Sequence, residues 1–373
     1  MAADTTREDP AGVETAIAGE APGPLASWFL AGLTRAMAER GYHFPAPAPD
    51  HARLVLNVVK TPRPRPFRRR SKATYVVVVA EADEPPADVL KSGYPLLIRA
   101  LGNLLIYLIG SPKHPKICFI TLERGCYEIP PGESESALFD RVVDELAPLA
   151  SSRLVIDNEI IADLPESVRL GDPIPNQIRA AGARLDRLGL LPSPFPLDEL
   201  LSPADIRHIH RLYGIGGLSY GNVSARARLV EGFWMTATGV DKGNLGEAGR
   251  DILLVSGYDL DRSRILVRAA PHPRPRHVSV DAIEHALIYE EHPGVAAIVH
   301  VHSWMPEVPA TRINFPCGTY ELGLAVADVL RRSPDPNRAI VGLKNHGLTM
   351  TGPSLDDIFD RIDGKLLPSV PAM

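Results

Sequence analysis

The sequence predicts an α/β (α+β) protein built as two domains, and three observations carry that expectation. At 373 residues the chain is long enough for two ordinary domains. Its first half alternates β-branched runs with segments of helical period. Its second half strings short alternating segments around turn residues, the pattern of a mainly antiparallel sheet.

Composition narrows the function classes. With 45% hydrophobic and 23% charged residues the chain reads as globular and soluble. A formal charge of −5 offers nothing to nucleic acid or an acidic membrane. Cys118, Cys126 and Cys317 make an odd count without a CxxC pair, which fits a reduced, cytoplasmic protein. Residues 1–24 are small, acidic and Pro/Gly-rich, so a disordered tail without a secretory signal is expected. The most apolar run, Leu96 to Ile109, is too short to span a bilayer and contains Arg99 and Asn103.

Residues 25–164 are expected to form an N-terminal α/β domain of unknown type. Leu25 to Arg40 has helical spacing and stops at Gly41. Ala52 to Val59, Thr74 to Ala80 and Ile117 to Leu122 read as strands, with Arg153 to Asp157 as a further short one. Leu96 to Ile109 is either a buried helix or two strand fragments, and Glu133 to Leu149 is a helix. Between the first two strands, residues 60–72 carry seven basic side chains and three prolines. They read as a solvated loop, with an anion contact as the alternative. Cys118 and Cys126 read as buried structural thiols.

Residues 165–197 are expected to be the linker, holding a helix at Ile178 to Leu188 that is broken at Leu191 to Pro196. The second domain is placed at 198–373. Ser202-Pro203-Ala204-Asp205 is a helix start, with a capping serine, an N-terminal proline and an early acid. That helix should reach Tyr213 and meet a turn at Gly214 to Gly217. Strands follow from Ser219 to Arg226, Gly232 to Ala237, Asp251 to Val255 and Arg264 to Val267, reading as a meander. Asp281 then opens a helix-like segment that turns at His292-Pro293-Gly294 into an apolar run ending in His300-Val301-His302.

Side chains at i and i+2 of a strand share a face, so His300 and His302 aim two imidazoles at one point. Neutral imidazole is the commonest protein ligand for zinc and similar ions. A third ligand must come from elsewhere. Asp281 has a competing reading as the N-cap of its helix, and the two roles can coexist.

Six segments in order, GNVSAR, TATGVDKGNL, SVDAIEHALIY, AIVHVHS, PCGTYEL and LKNHGLTMTG, give residues 200 to about 365 a resemblance to the class II aldolase/adducin family. The resemblance implies a three-layer αβα domain. It also implies a zinc-type divalent ion on His300, His302 and His346, the last from Asn345-His346-Gly347. In that family the ion chelates the oxygens of a ketose-like substrate and stabilises the enediolate formed as a C–C bond breaks. By position, Asp281 is the acid/base residue, and Asn222, Thr238, Gly239 and Ser279 take the substrate's anionic group. His285 reads as structural support, Glu321 as a helix-start acid with a place near the ion as the alternative, and Cys317 as packing. The family further implies a homo-oligomer acting on a small sugar or sugar phosphate.

Four departures stand out. Asp281 replaces the glutamate of the family's aldolases, as in its 4-epimerases. Val280 replaces a serine that many members have. Only fifteen residues separate His302 from Gly318, where members are longer, and no tyrosine follows Tyr320. Neither the aldolase's nor the epimerase's complete proton-transfer set carries over. The expected function is an aldolase-like lyase; a sugar-phosphate 4-epimerase and a non-catalytic adducin-like module are the alternatives.

Overall fold

The computed structural model describes residues 13–45, 52–82, 84–190, 197–213, 221–367 and 369–370, with backbone alone for 197 and 209–213. The expected break at Leu191 to Pro196, the turn at Gly214 to Gly217 and the first half of the 1–24 tail lie outside the described residues. Two compact units divide the chain: residues 1–151, 195–208 and 371–373, and residues 152–194 and 209–370. Two boundaries differ from the sequence expectation. A strand at Thr15–Ala18 falls inside the expected tail, and the expected linker is largely helical and belongs to the second unit.

The first unit runs β1 (Thr15–Ala18), α1 (Pro24–Glu39), β2 (Leu54–Val59), β3 (Tyr75–Glu81), α2 (Val89–Arg99), β4 (Leu104–Ser111), β5 (His114–Thr121), β6 (Cys126–Glu128) and α3 (Glu135–Ser151). Its sheet has the order β1-β2-β3-β4-β5-β6, parallel through β4 and antiparallel beyond. The run Leu96 to Ile109 is neither a single helix nor two strands. It is the end of α2 and the start of β4, divided at Leu101, whose φ of 57° is left-handed. Helices α1 and α3 cover one face through Phe29, Leu33, Phe139 and Val142. The basic loop is pinned rather than free: Arg65 donates to the Asn57 amide oxygen, Arg68 pairs with Asp205, and Arg69 donates to the carbonyls of Thr74 and Leu101.

The second unit begins with β7 (Asp157–Ile161), α4 (Glu166–Gly171) and α5 (Ile174–Arg187); α6 (Leu197–Leu200) and the start of α7 (Pro203–Tyr213) belong to the first unit. The Ser202 hydroxyl accepts from the Asp205 N–H, the cap foreseen for α7. The strand expected at Arg153 to Asp157 lies further on, as β7. Upstream of it the backbone is engaged elsewhere, with Arg153 N–H on Glu321 and Val155 N–H on the Gly318 carbonyl.

Then come β8 (Gly221–Arg226), β9 (Phe233–Thr236), β10 (Ile252–Asp259), β11 (Arg264–Arg268), α8 (Ala282–Glu291), β12 (Ala297–Val301), α9 (Tyr320–Arg331), β13 (Ile340–Leu343), β14 (Gly347–Gly352) and α10 (Leu355–Ile362). The sheet order is β13-β14-β12-β8-β9-β10-β11-β7, antiparallel except for β7 on β11. The meander β8 to β11 is as the alternation foretold.

Alternate side chains of this sheet feed two cores. Val223, Trp234, Leu254, Val299, Leu348 and Met350 meet α5 and α10 on one face. Met235, Leu253, Val255, Ile298 and Val341 meet α8 and α9 on the other. The unit is therefore a three-layer αβα arrangement. Helix α8 is buried from Ala282 to Tyr289, because it lies on the sheet and also under α9, where Gly323 admits Leu287. No helix among the described residues is long and apolar enough to cross a membrane.

Candidate metal and substrate site

The end of β12 sits between two close-packed neighbours. A Cβ on Gly221 of β8 would meet the His300 carbonyl oxygen at 2.1 Å, and one on Gly347 of β14 would meet that of Val301 at 2.1 Å. Glycine at both places lets three strands converge where the histidines leave the sheet. Even residues of β12 point toward α8 and α9, so His300 and His302 emerge on that side. His346 comes from the β13–β14 turn, where Asn345 holds a left-handed φ of 60°.

The three rings lie together. Their ligand nitrogens lie within 4.8 Å of one another, and ring centroids are 4.7–5.0 Å apart. His300 is fully buried and its Nε2 has no hydrogen-bond partner among the described residues. A buried polar nitrogen without a partner costs free energy unless a ligand satisfies it. Burial, with the neighbouring His346 and His302, holds His300 well below the usual imidazole range, so its ring is neutral and its lone pair available. The donor set fits a divalent ion of zinc type.

His300 is oriented from behind. Its Nδ1 lies 3.4 Å from the Thr349 hydroxyl, which donates to Glu284 of α8. Burial first, and then the nearby Asp281, push the Glu284 carboxyl up to about 8. A carboxyl reaching a ligand histidine through a second group is a recurrent way to fix the ring.

Asp281 occupies the N-cap position of α8, but its side chain makes no capping bond. The carboxylate turns into the site, where Oδ2 accepts from the Asn222 amide at 2.6 Å and the Ser279 hydroxyl at 3.3 Å. Its Oδ1 is buried and has no hydrogen-bond partner among the described residues. Burial raises its pKa, against the opposing pull of His346, Asn222, Ser279 and Lys242. Asn222 faces His300 across the β8–β12 ladder, which ties the carboxylate cluster to the histidine strand.

Thr238 and Gly239 lie in the loop after β9, with Thr238 N–H on the His277 carbonyl and Gly239 at φ 68°. No hydrogen bond joins either to the Asp281 cluster among the described residues. Their loop contributes Lys242 instead, 5% exposed, whose burial lowers its pKa to about 8 while Asp281 and Asp241 oppose the shift.

Two expectations are settled by geometry. His285 is structural: Nδ1 lies 2.8 Å from the Ser224 hydroxyl, itself 2.9 Å from Tyr289 Oη, and burial pushes the imidazole down to about 3. Glu321 is also structural, accepting from the Arg153 N–H at 2.8 Å and from its guanidinium at 3.2 Å. Sequence reading passed over Lys242 and the Glu284–Thr349 relay, and took Cys317 for packing. The thiol sulfur of Cys317 lies within 4.8 Å of Asp281 and His346 ligand atoms. The signal for Glu284 was its place on the same helical turn as Asp281; for Cys317 there was none beyond proximity to Gly318.

Residues 204–363 match the family model described as the class II aldolase and adducin N-terminal domain. Among solved structures, L-fuculose 1-phosphate aldolase is 18% identical over 54% of this chain and 82% of its own, with a TM-score of 0.35. YgbL from Klebsiella pneumoniae is 18% identical over 51% and 83%, with a TM-score of 0.33. An aldolase II superfamily protein from Pseudomonas syringae is 14% identical over 54% and 72%, with a TM-score of 0.34. No curated protein matches the chain. The family match, on a three-layer unit with these motifs in place, makes the C-terminal domain of this chain a member of the class II aldolase/adducin family.

Proposed function

We propose that the C-terminal domain is a divalent-metal-dependent, aldolase-like lyase for a sugar phosphate or related hydroxy-carbonyl compound. The observation that carries this reading is the convergence of the His300, His302 and His346 ligand atoms within 4.8 Å of one another. A bound zinc-type ion would supply Lewis-acid polarisation of a substrate carbonyl. The remaining work falls to side chains. Glu284, through Thr349, fixes the His300 ring. Asn222 and Ser279 hold Asp281 by one oxygen, leaving Oδ1 to take or deliver a proton. Desolvation makes that carboxylate a stronger base than one in water. Thr238, Gly239 and Ser279 offer the polar groups for an anionic substituent, and Lys242 adds a buried positive charge on the same loop. The same reading makes the protein a cytoplasmic homo-oligomer, with neither nucleic acid nor membrane as partner.

A non-catalytic module is the second reading, favoured by the fifteen-residue connection from His302 to Gly318. Metal analysis of the purified protein and of His300→Ala tests the metal, and a panel of sugar phosphates with metal added tests the chemistry. Stoichiometric zinc-type metal that is lost in the variant, with carbon–carbon cleavage of at least one substrate, is expected. Wild-type protein without transition metal would overturn the reading; metal without turnover on any substrate would favour the module.

A further inference from the structure

The basic loop at 60–72 borders a cavity that the chemistry proposed above leaves unused. The cavity is about 450 Å³, within the range of small-molecule sites, and lies between the proline-rich part of the loop, the end of α2 and the α6–α7 segment. All of its lining residues belong to the first unit. Its walls are tied together. Phe67 N–H donates to the Ala100 carbonyl at 3.0 Å and Arg69 donates to the Leu101 carbonyl at 2.9 Å, which binds the loop to the end of α2. Arg68 pairs with Asp205 at 2.9 Å, and the Ser202 hydroxyl donates to the other oxygen of Asp205 at 2.6 Å, which binds the loop to the start of α7. Pro62, Pro64 and Pro66 stiffen the rim, since each fixes its own φ and has no N–H to satisfy.

The charges around this cavity do not balance. Among the described lining residues Asp205 is the one acid, and Arg68 already neutralises it. Arg63, exposed, and Arg99, half-buried, also line the cavity, and neither makes an ion pair or a hydrogen bond among the described residues. Arg99 is not needed to cap α2, because the carbonyls of Leu97, Ile98 and Ala100 accept from the N–H groups of Gly102, Leu101 and Phe67. Two guanidiniums are therefore left to a preformed cavity whose other walls, Pro64, Pro66, Leu200 and Leu201, are apolar.

We propose that this cavity binds a small phosphate monoester with an apolar body, through Arg63 and Arg99. A phosphomonoester carries about 1.5–2 negative charges at pH 7, which matches two guanidiniums, whereas a carboxylate carries one. Guanidinium is also the side chain best shaped for phosphate oxygens. The prolines and leucines take the apolar body, and the ties between the three segments lower the ordering cost of binding. The site is separate from the three histidines and does not depend on the metal reading.

Phenyl phosphate is the probe. It is titrated calorimetrically into the full-length protein, in a phosphate-free buffer of low ionic strength, beside Arg63→Ala, Arg99→Ala and Ser279→Ala. Saturable binding is expected, weakened about tenfold or more in each arginine variant and unchanged in Ser279→Ala. Benzoate, with one charge, and inorganic phosphate, without an apolar body, should both bind more weakly than phenyl phosphate. Benzoate binding as tightly overturns the phosphate, and inorganic phosphate binding as tightly reduces the cavity to an adventitious anion contact. Binding that survives in both arginine variants and is lost in Ser279→Ala places the probe in the second unit and overturns the proposal, as does no binding at millimolar probe. If Arg99→Ala does not fold, Arg63→Ala decides, because an exposed side chain is removed there without opening the core.

Discussion

The carboxylate of Asp281 shows how one residue can be an N-cap by position and something else by contact. Its backbone begins α8, yet its side chain faces Asn222 and Ser279 and leaves Oδ1 without a hydrogen-bond partner. Asp281→Asn keeps the volume and removes the base. Under the lyase reading kcat should fall by about 10²-fold or more, with metal content unchanged and KM little affected. Loss of metal instead would make Asp281 a ligand. His285 gives a pH test independent of substrate. Its folded pKa, about 3, lies below the ordinary 6.5, so between these values the unfolded chain binds the extra proton. Stability therefore rises with pH in that window, is complete above 6.5, and is lost as pH falls toward 3. The loss is on the order of a few kcal/mol. Thermal denaturation from pH 7.5 to 4.5 should show it, and His285→Asn, which retains a polar group near Nδ1, should flatten the slope. Equal slopes in both proteins would remove His285 as the cause.

At the scale of elements, legibility followed local pattern. His300 and His302 were readable because period two is a property of one strand, whereas His346 came only from the family resemblance of Asn345-His346-Gly347. The Glu284–Thr349–His300 relay was not readable. It depends on the pairing of β12 with β14, which places Thr349 opposite His300 across forty-nine residues of sequence. Cys317 was hidden for the same reason, since its position is set by the packing of Gly318 on Val280. The run Leu96 to Ile109 misled when read as one stretch, although Gly102-Asn103 mark the break beside Leu101. The glycines beside β12 make this dependence on close packing testable. Gly347→Ala would place a methyl 2.1 Å from the Val301 carbonyl oxygen, where only backbone can yield. A stability loss of about 1–3 kcal/mol or more is expected in denaturant titration, together with weaker metal binding as β14 moves His346. Unchanged stability would mean that the strands are not held at this spacing.

For the whole molecule, the compact second unit is larger than its family match. The match begins at residue 204, whereas β7 and α5 precede it, β7 pairing on β11 and α5 covering the face that holds Trp234. The six ordered motifs made the three-layer arrangement legible. They said nothing of the first unit, whose six-stranded sheet was recognisable only as alternating strands and helices. The two units also differ in the ligand assigned to them, and tryptophan placement allows each to be followed. Of the three tryptophans, Trp28 lies in the first unit, and Trp234 and Trp304 lie in the second. Trp28→Phe therefore leaves fluorescence that reports the second unit alone. A metal at one hundred times its dissociation constant stabilises the state that binds it by about 2.7 kcal/mol. Chelation of the Trp28→Phe protein should lower the midpoint of its fluorescence transition, and restored zinc should return it. In a Trp234→Phe, Trp304→Phe protein the Trp28 signal reports the unit to which no metal is assigned. If chelation moves only the Trp28 signal, the metal belongs to the first unit and the three histidines are not its ligands.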